Sequence, residues 1–141
     1  MRSLLICVVS ILLATGAVGC KKEVAPLTFA SPDQKVLYEL MVERCDAINA
    51  RDVNRLKKIY VQDSPDLDWL IKEGLPDFSR WGISHEVSEM KKITIVGVDA
   101  AGAFTLQLSG RLARNPVTHV DVLYIRDGTQ WKIESVAEEG K

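Results

Sequence analysis

Three patterns of apolar and polar positions divide the chain. Leu4 to Ala14 runs without a charge; Leu37, Leu40, Met41, Cys45 and Ile48 recur at three- and four-residue spacing; from Ser84 onward the period falls to two. The middle pattern predicts a helix. Ser31-Pro32-Asp33-Gln34 supplies its start, with a serine N-cap, a proline at the first helical position and a glutamine at the third. Asn49-Ala50-Arg51-Asp52 breaks the period, and Asp52 is placed to cap a second short helix with apolar positions Val53, Leu56, Ile59 and Tyr60. Ser64-Pro65-Asp66 repeats the cap-then-proline signal, predicting a third piece over Leu67 to Glu73 that Gly74 should end. Leu75 to Gly82 sets Phe78 and Trp81 among turn formers and is expected to be a loop packed over the domain as a flap.

The two-residue period is clearest at Phe104, Leu106, Leu108, Gly110 and Leu112 against Thr105, Gln107, Ser109 and Arg111. Turn signals at Asp99–Gly102, Arg114–Pro116 and Asp127–Gln130 predict four strands, at about 84–98, 103–113, 117–126 and 131–137. Closing each hairpin at its turn pairs Leu112 with Thr118, Leu108 with Val122 and Leu106 with Tyr124. It also pairs Arg126 with Trp131, Tyr124 with Ile133, Val122 with Ser135, Ile95 with Leu106 and Ile93 with Leu108. One face then carries Ile93, Ile95, Phe104, Leu106, Leu108, Val120, Val122, Tyr124, Trp131 and Ile133, with no Asp, Glu or His among them. The other face is mixed: His119, Asp121 and Arg111 lie on it, and Val96, Val98, Leu123, Ile125 and Val136 gather at one end. Helices followed by a block of strands predict an α+β architecture, with the helices packed on an antiparallel meander.

The first segment changes how composition is read. Of 141 residues 47% are apolar, but the first 19 hold much of that share with Arg2 as their single charge. Arg2 followed by the apolar run is the pattern of a secretory signal, and the run is shorter than the roughly 20 residues that a membrane span requires. Ala17-Val18-Gly19-Cys20 resembles the lipobox of bacterial lipoproteins, with alanine where leucine is commonest. That resemblance implies cleavage after residue 19, diacylation of Cys20 and a tether over residues 20–30 ahead of a domain over 31–138. Such a protein is extracytoplasmic, and lysine at position 21 resembles sorting to the periplasmic side of the outer membrane. Cys45 is then the remaining cysteine, so no internal disulfide is available to the processed chain. With 18 basic and 19 acidic residues, the net charge of -1 offers no field to attract nucleic acid.

Asp46-Ala47-Ile48-Asn49-Ala50-Arg51-Asp52, a second helix ending in Tyr60, and Arg126-Asp127-Gly128-Thr129-Gln130-Trp131-Lys132-Ile133 together resemble the nuclear-transport-factor-2-like superfamily. The resemblance covers about residues 31–137 and includes the SnoaL and ketosteroid-isomerase-like domains. It implies a cystatin-like cone of curved antiparallel sheet around helices, a pocket at the open end and, in many members, a dimer through the outer sheet face. Members include isomerases, dehydratases and binding domains, so the resemblance bears on fold more than on function.

The candidate chemistry is sparse. An isomerase- or dehydratase-like site needs a carboxylate in the cone and an oxyanion donor, and no such pair is evident on one wall. Asp63, Asp66 and Asp68 sit at a helix start, where capping accounts for them. His85 and His119 are too few for a zinc site, and Gly97, Gly102 and Gly110 form no phosphate loop. Neither a metal nor a cofactor is expected. The sequence therefore predicts a non-catalytic module that binds a small apolar ligand at Tyr38, Met41, Cys45, Tyr60, Phe78, Trp81 and Tyr124. Its second expected surface is the outer face with Val96, Val98, Leu123, Ile125 and Val136, suited to a homodimer or another partner.

Overall fold

Ser31 opens the domain as an N-cap, its hydroxyl accepting from the Gln34 amide at 3.2 Å, and helix α1 (Pro32–Ala50) follows. The computed structural model describes residues 26–111, 113 and 116–139. The expected signal segment, Cys20, the first half of the tether, and Leu112, Arg114 and Asn115 lie outside the described residues. Leu37, Met41, Cys45 and Ile48 form the buried stripe of α1, which ends at Arg51 in the left-handed region (φ 57°). Asp52 Oδ1 accepts from the Arg55 amide at 3.0 Å to begin α2 (Val53–Ile59), and Ser64 caps α3 (Pro65–Trp69).

Gly74 does not stop the third helix. Its φ of -61° is helical, and α3 passes through a π turn (Leu70–Gly74) into α4 (Leu75–Trp81). The stretch expected to be a flap is therefore helical. Pro76 gives the reason: it has no N–H for the preceding turn and its ring crowds that turn's carbonyl, a conflict that a wider π turn relieves. Glycine suits position 74 because a Cβ there would stand 3.0 Å from Leu70 Cδ1 and 3.1 Å from Trp69 Cζ3.

The second half is a four-stranded antiparallel meander, β1 (Ser84–Val96), β2 (Asp99–Ser109), β3 (Val117–Asp127) and β4 (Gln130–Glu138), in the order β1-β2-β3-β4. Its faces match expectation except for His85 at the start of β1 and the end of β4 beyond Glu134, and the registers of the first two hairpins differ from it. Ile95 pairs with Ala100 and Ile93 with Gly102, since the first hairpin closes over Gly97 and Val98, with Gly97 at φ 63°. Leu106 pairs with Thr118, Phe104 with Val120 and Gly102 with Val122. Both slips are even, so each strand keeps its buried face. The last hairpin pairs Arg126 with Trp131 and Tyr124 with Ile133 as expected. A bulge at Glu134 then sets Ser135 opposite Leu123 and Val136 opposite Val122. Val136 thereby turns inward to the core instead of joining the outer face. Two further irregularities in β1, between Val87 and Glu89 and between Met90 and Lys92, curl that strand.

Phe104, Leu106, Val120, Val122, Tyr124, Trp131 and Ile133 are buried on the concave face and meet α1. Hydrogen bonds fix the helix along the edge strand. Gln34 Nε2 donates to Ile93 O at 3.2 Å, and Asn49 both accepts from His85 N and donates to His85 O, each at 2.8 Å. From the sheet, the Tyr124 hydroxyl donates to Leu37 O at 3.1 Å. With α1 held at both ends and in its middle, the open end of the cone falls where Arg44, α3, α4 and the start of β1 converge.

Candidate functional site

A cavity of about 380 Å³ occupies that open end. Helix α1 contributes Arg44, α3 contributes Asp66 and Trp69, and α4 contributes Phe78. The strands contribute His85, Leu106, Leu108, Thr118, Val120, Val136 and Glu138, with Ile83 at the entry to β1. The aromatic wall is an edge-to-face series: Trp69 and Phe78 ring centres lie 6.4 Å apart, and Phe78 and His85 lie 4.5 Å apart. The floor is aliphatic.

The polar end is a preassembled line. Arg44, only 6% exposed, donates through Nε to the Tyr60 hydroxyl at 2.6 Å, and that hydroxyl donates onward to Asp66 Oδ2 at 2.6 Å. Burial works against the Arg44 charge, but Tyr60 and Asp66 outweigh it and leave its pKa raised. Burial pushes the Tyr60 phenol up, with Asp66 adding to the rise and Arg44 opposing it. The line thus consists of a guanidinium, a neutral phenol and a carboxylate, with the phenol's proton directed at the carboxylate.

His85 is 9% exposed, and its Nδ1 is buried without a hydrogen-bond partner. Burial first, then the nearby charges of Arg44 and Arg51, lower its pKa to about 4. It is a neutral imidazole at neutral pH, held from behind by the Asn49 contacts to its own backbone.

The structure brings together only part of the expected pocket. Phe78 lines the cavity, and Tyr60 serves it through the hydroxyl that links Arg44 to Asp66. Tyr38 and Cys45 line a second cavity of about 430 Å³, on the side of His85 toward Asn49 and Glu86. Met41 and Tyr124 are packed in the core at 0% and 1% exposure. Trp81 is half exposed beyond the mouth, on a groove with Arg80, Gly82, Gly110 and Arg111. Sequence reasoning missed Arg44, Asp66 as a site residue, His85 and Glu138. Arg44 had a legible signal, since it stands three residues after Met41 and four before Ile48, on the apolar stripe. His85 shares the strand parity of Val87 and faces the core, contrary to the expectation that inner positions carry no acid or histidine. Glu138 follows Val136 inward because of the bulge at Glu134.

On the outer face, Val96, Val98 and Leu123 are exposed and Ile125 is half-buried. His119 lies there too, with Nδ1 3.1 Å from the Thr105 hydroxyl. Among the described residues no group of three or more His, Cys, Asp or Glu is placed to hold a metal ion.

No protein-family model matches the sequence, and no curated protein matches it. Solved structures do resemble it. An NTF2-like protein with a cystatin-like fold from Novosphingobium aromaticivorans aligns at TM-score 0.63 and 14% identity, over 77% of this chain and 84% of that one. The hexachlorocyclohexane dehydrochlorinase LinA-type3 from Novosphingobium barchaimii aligns at 0.61 and 14%, over 76% of this chain and 86% of that one. An NTF2-like protein from Cytophaga hutchinsonii aligns at 0.56 and 13%, over 77% and 98%. At such identities the likeness concerns the fold: helices followed by a curved four-stranded antiparallel sheet, in the NTF2-like, cystatin-like arrangement.

Proposed function

We propose that this chain is an extracytoplasmic lipoprotein anchored through Cys20, and that its domain binds a small, largely apolar molecule in the cone without transforming it. The observation that carries the binding reading is the cavity itself. About 380 Å³ walled by Trp69, Phe78 and aliphatic strand residues, with Arg44, Asp66, His85 and Glu138 as its ionisable lining, has the size and composition of a small-molecule site. The ligand's carbon skeleton lies against the aromatic wall, and its polar group faces the polar end.

His85 supports binding over catalysis. A general base works best with a pKa near the operating pH, and an imidazole held at about 4 is roughly three units too acidic for that. Its Nδ1 has no partner, so no carboxylate orients the ring through that nitrogen, and the Tyr60 proton is already committed to Asp66. The competing reading is an isomerase- or dehydratase-like enzyme. It is favoured by the presence of a histidine, a carboxylate and a buried cation in one cavity, and by a fold shared with a dehydrochlorinase.

The anchor rests on the apolar run and on Ala17-Val18-Gly19-Cys20. Labelling cells with a palmitate analogue is expected to mark the wild type and not Cys20→Ala; an unlabelled, soluble wild type refutes the anchor. For the cone, native mass spectrometry of protein purified from its own host is expected to show a bound small molecule, lost on Phe78→Asp. Robust turnover in a panel of isomerisation and elimination substrates, abolished by His85→Gln, overturns the non-catalytic reading.

A further inference from the structure

We infer, on the reading of the cone as a binding site, that its ligand is an apolar α-amino acid in zwitterionic form, with its carboxylate on Arg44, its ammonium on Asp66 and its side chain against the aromatic wall. Arg44 is the first reason. Its side chain lines the cavity and is buried, and among the described residues only Nε has a hydrogen-bond partner, the Tyr60 hydroxyl at 2.6 Å. The donors on Nη1 and Nη2 remain unmatched, which is costly for a buried charge. A carboxylate suits that fork better than a neutral acceptor does, since charge-assisted hydrogen bonds are roughly twice as strong.

Asp66 stands beside this cation without pairing to it. The two form no direct ion pair, yet the Tyr60 hydroxyl joins Arg44 Nε to Asp66 Oδ2 through two bonds of 2.6 Å, which holds those atoms roughly 5 Å apart at most. One small head group spans such a gap. In an α-amino acid the ammonium and the carboxylate hang from a single carbon, so one end meets the guanidinium while the other meets Asp66 Oδ1, which has no partner among the described residues. Tyr60 neutralises neither charge, because burial keeps its phenol protonated and its proton is directed at Asp66.

The rest of the ionisable lining decides between ligand classes. His85 is neutral at neutral pH, and Glu138 adds a negative charge at the exposed rim. A ligand with a carboxylate alone brings an anion to a cavity that already holds Asp66 and Glu138. One with an ammonium alone brings a cation to Arg44 and leaves the buried fork unmatched. A zwitterion sets each charge against its complement and adds no net charge to the cavity. Beyond the head group lie Trp69 and Phe78, edge to face at 6.4 Å, and the aliphatic side chains of Leu106, Leu108, Val120 and Val136. At about 380 Å³ the cavity has room for a side chain the size of phenylalanine's against them.

Isothermal titration calorimetry of the dialysed full chain in a nonionic detergent tests this with molecules that share one ring. They are L-phenylalanine, 3-phenylpropanoate without the ammonium, 2-phenylethylamine without the carboxylate, and the neutral 3-phenylpropanamide. L-phenylalanine is expected to bind with a Kd of about 1 mM or below, and each of the others at least about tenfold more weakly. Asp66→Asn, at a half-buried position, should weaken L-phenylalanine at least about tenfold and leave 3-phenylpropanoate as tight or tighter, a split that loss of the fold would not produce. The comparison of ligands on the wild type needs no variant. L-phenylalanine weaker than expected, or matched by any of the other three, overturns the inference. So does a co-purifying molecule in the cone that is not an amino acid, although the binding reading then stands. An empty cone in the native mass spectrum, with no heat from any of the four, refutes both.

Discussion

His85 makes the stability of this domain depend on pH in a way that can be isolated. An unfolded histidine titrates near 6.5, whereas burial and the charges of Arg44 and Arg51 hold the folded side chain at about 4. Below pH 6.5 the unfolded state takes up a proton that the folded state refuses, so stability is complete above 6.5 and declines as pH falls toward 4. Integrating the two titrations gives about 2.5 kcal/mol lost between pH 7.5 and pH 4.5 from this one residue. His85→Phe removes the titration while keeping an aromatic ring against Phe78. Urea unfolding followed by tryptophan fluorescence, at several pH values, yields the stability of each protein. The difference between wild type and variant should shift by about 2 to 3 kcal/mol over that range in favour of the variant. The other ionisable groups around the cavity, Arg44, Arg51, Asp66 and Glu138, are present in both proteins and largely cancel in the difference. Parallel pH profiles for the two proteins, or an imidazole titration above pH 6 by NMR, refutes the reasoning.

Three further outcomes follow from the packing. Gly102→Ala places a Cβ 2.6 Å from Phe104 Cε2 on the inner row, and chemical denaturation should show a loss of about 1 to 3 kcal/mol. Tyr60→Phe leaves buried Arg44 Nε without its acceptor and Asp66 without its donor, which should cost about 1 to 3 kcal/mol by the same measurement and weaken retention of the co-purifying molecule. Burial pushes the Cys45 thiol up to about 11, so peptide-resolved alkylation at pH 8 should spare Cys45 in the folded protein and modify it fully in urea.

The residues that made the fold legible are those whose local chemistry has one outcome. Ser31, Asp52 and Ser64 each cap a helix as their spacing requires, because a short side-chain acceptor followed by a free N–H has few other uses. The strand faces were legible for a similar reason: alternation fixes which side is buried. It does not fix the register. Slipping β1 or β3 by six residues against β2 leaves every apolar residue on the same side, so hydrophobic matching cannot distinguish the two pairings. The turn decides between them, and Gly97-Val98 is a weaker turn signal than the Asp99-Ala100-Ala101-Gly102 that follows it.

The site was less legible because its residues depart from the patterns that betray a core. Arg44 occupies an apolar position of α1 at the cost of desolvating a charge, and it remains there because Tyr60 and Asp66, from two other elements, meet it. Glu138 reaches the cone only through the bulge at Glu134, which reverses the parity of the last strand and carries Val136 inward with it. Helix α4 joins the aromatic wall because the π turn lets the chain pass Pro76 without stopping, although Gly74 and Pro76, with only Leu75 between them, read as a terminus. In each case a local rule is broken; for Arg44 the compensation comes from other parts of the chain, and for Glu138 and α4 it comes from the bulge and the π turn just before them. The cavity therefore emerges where binary patterning fails.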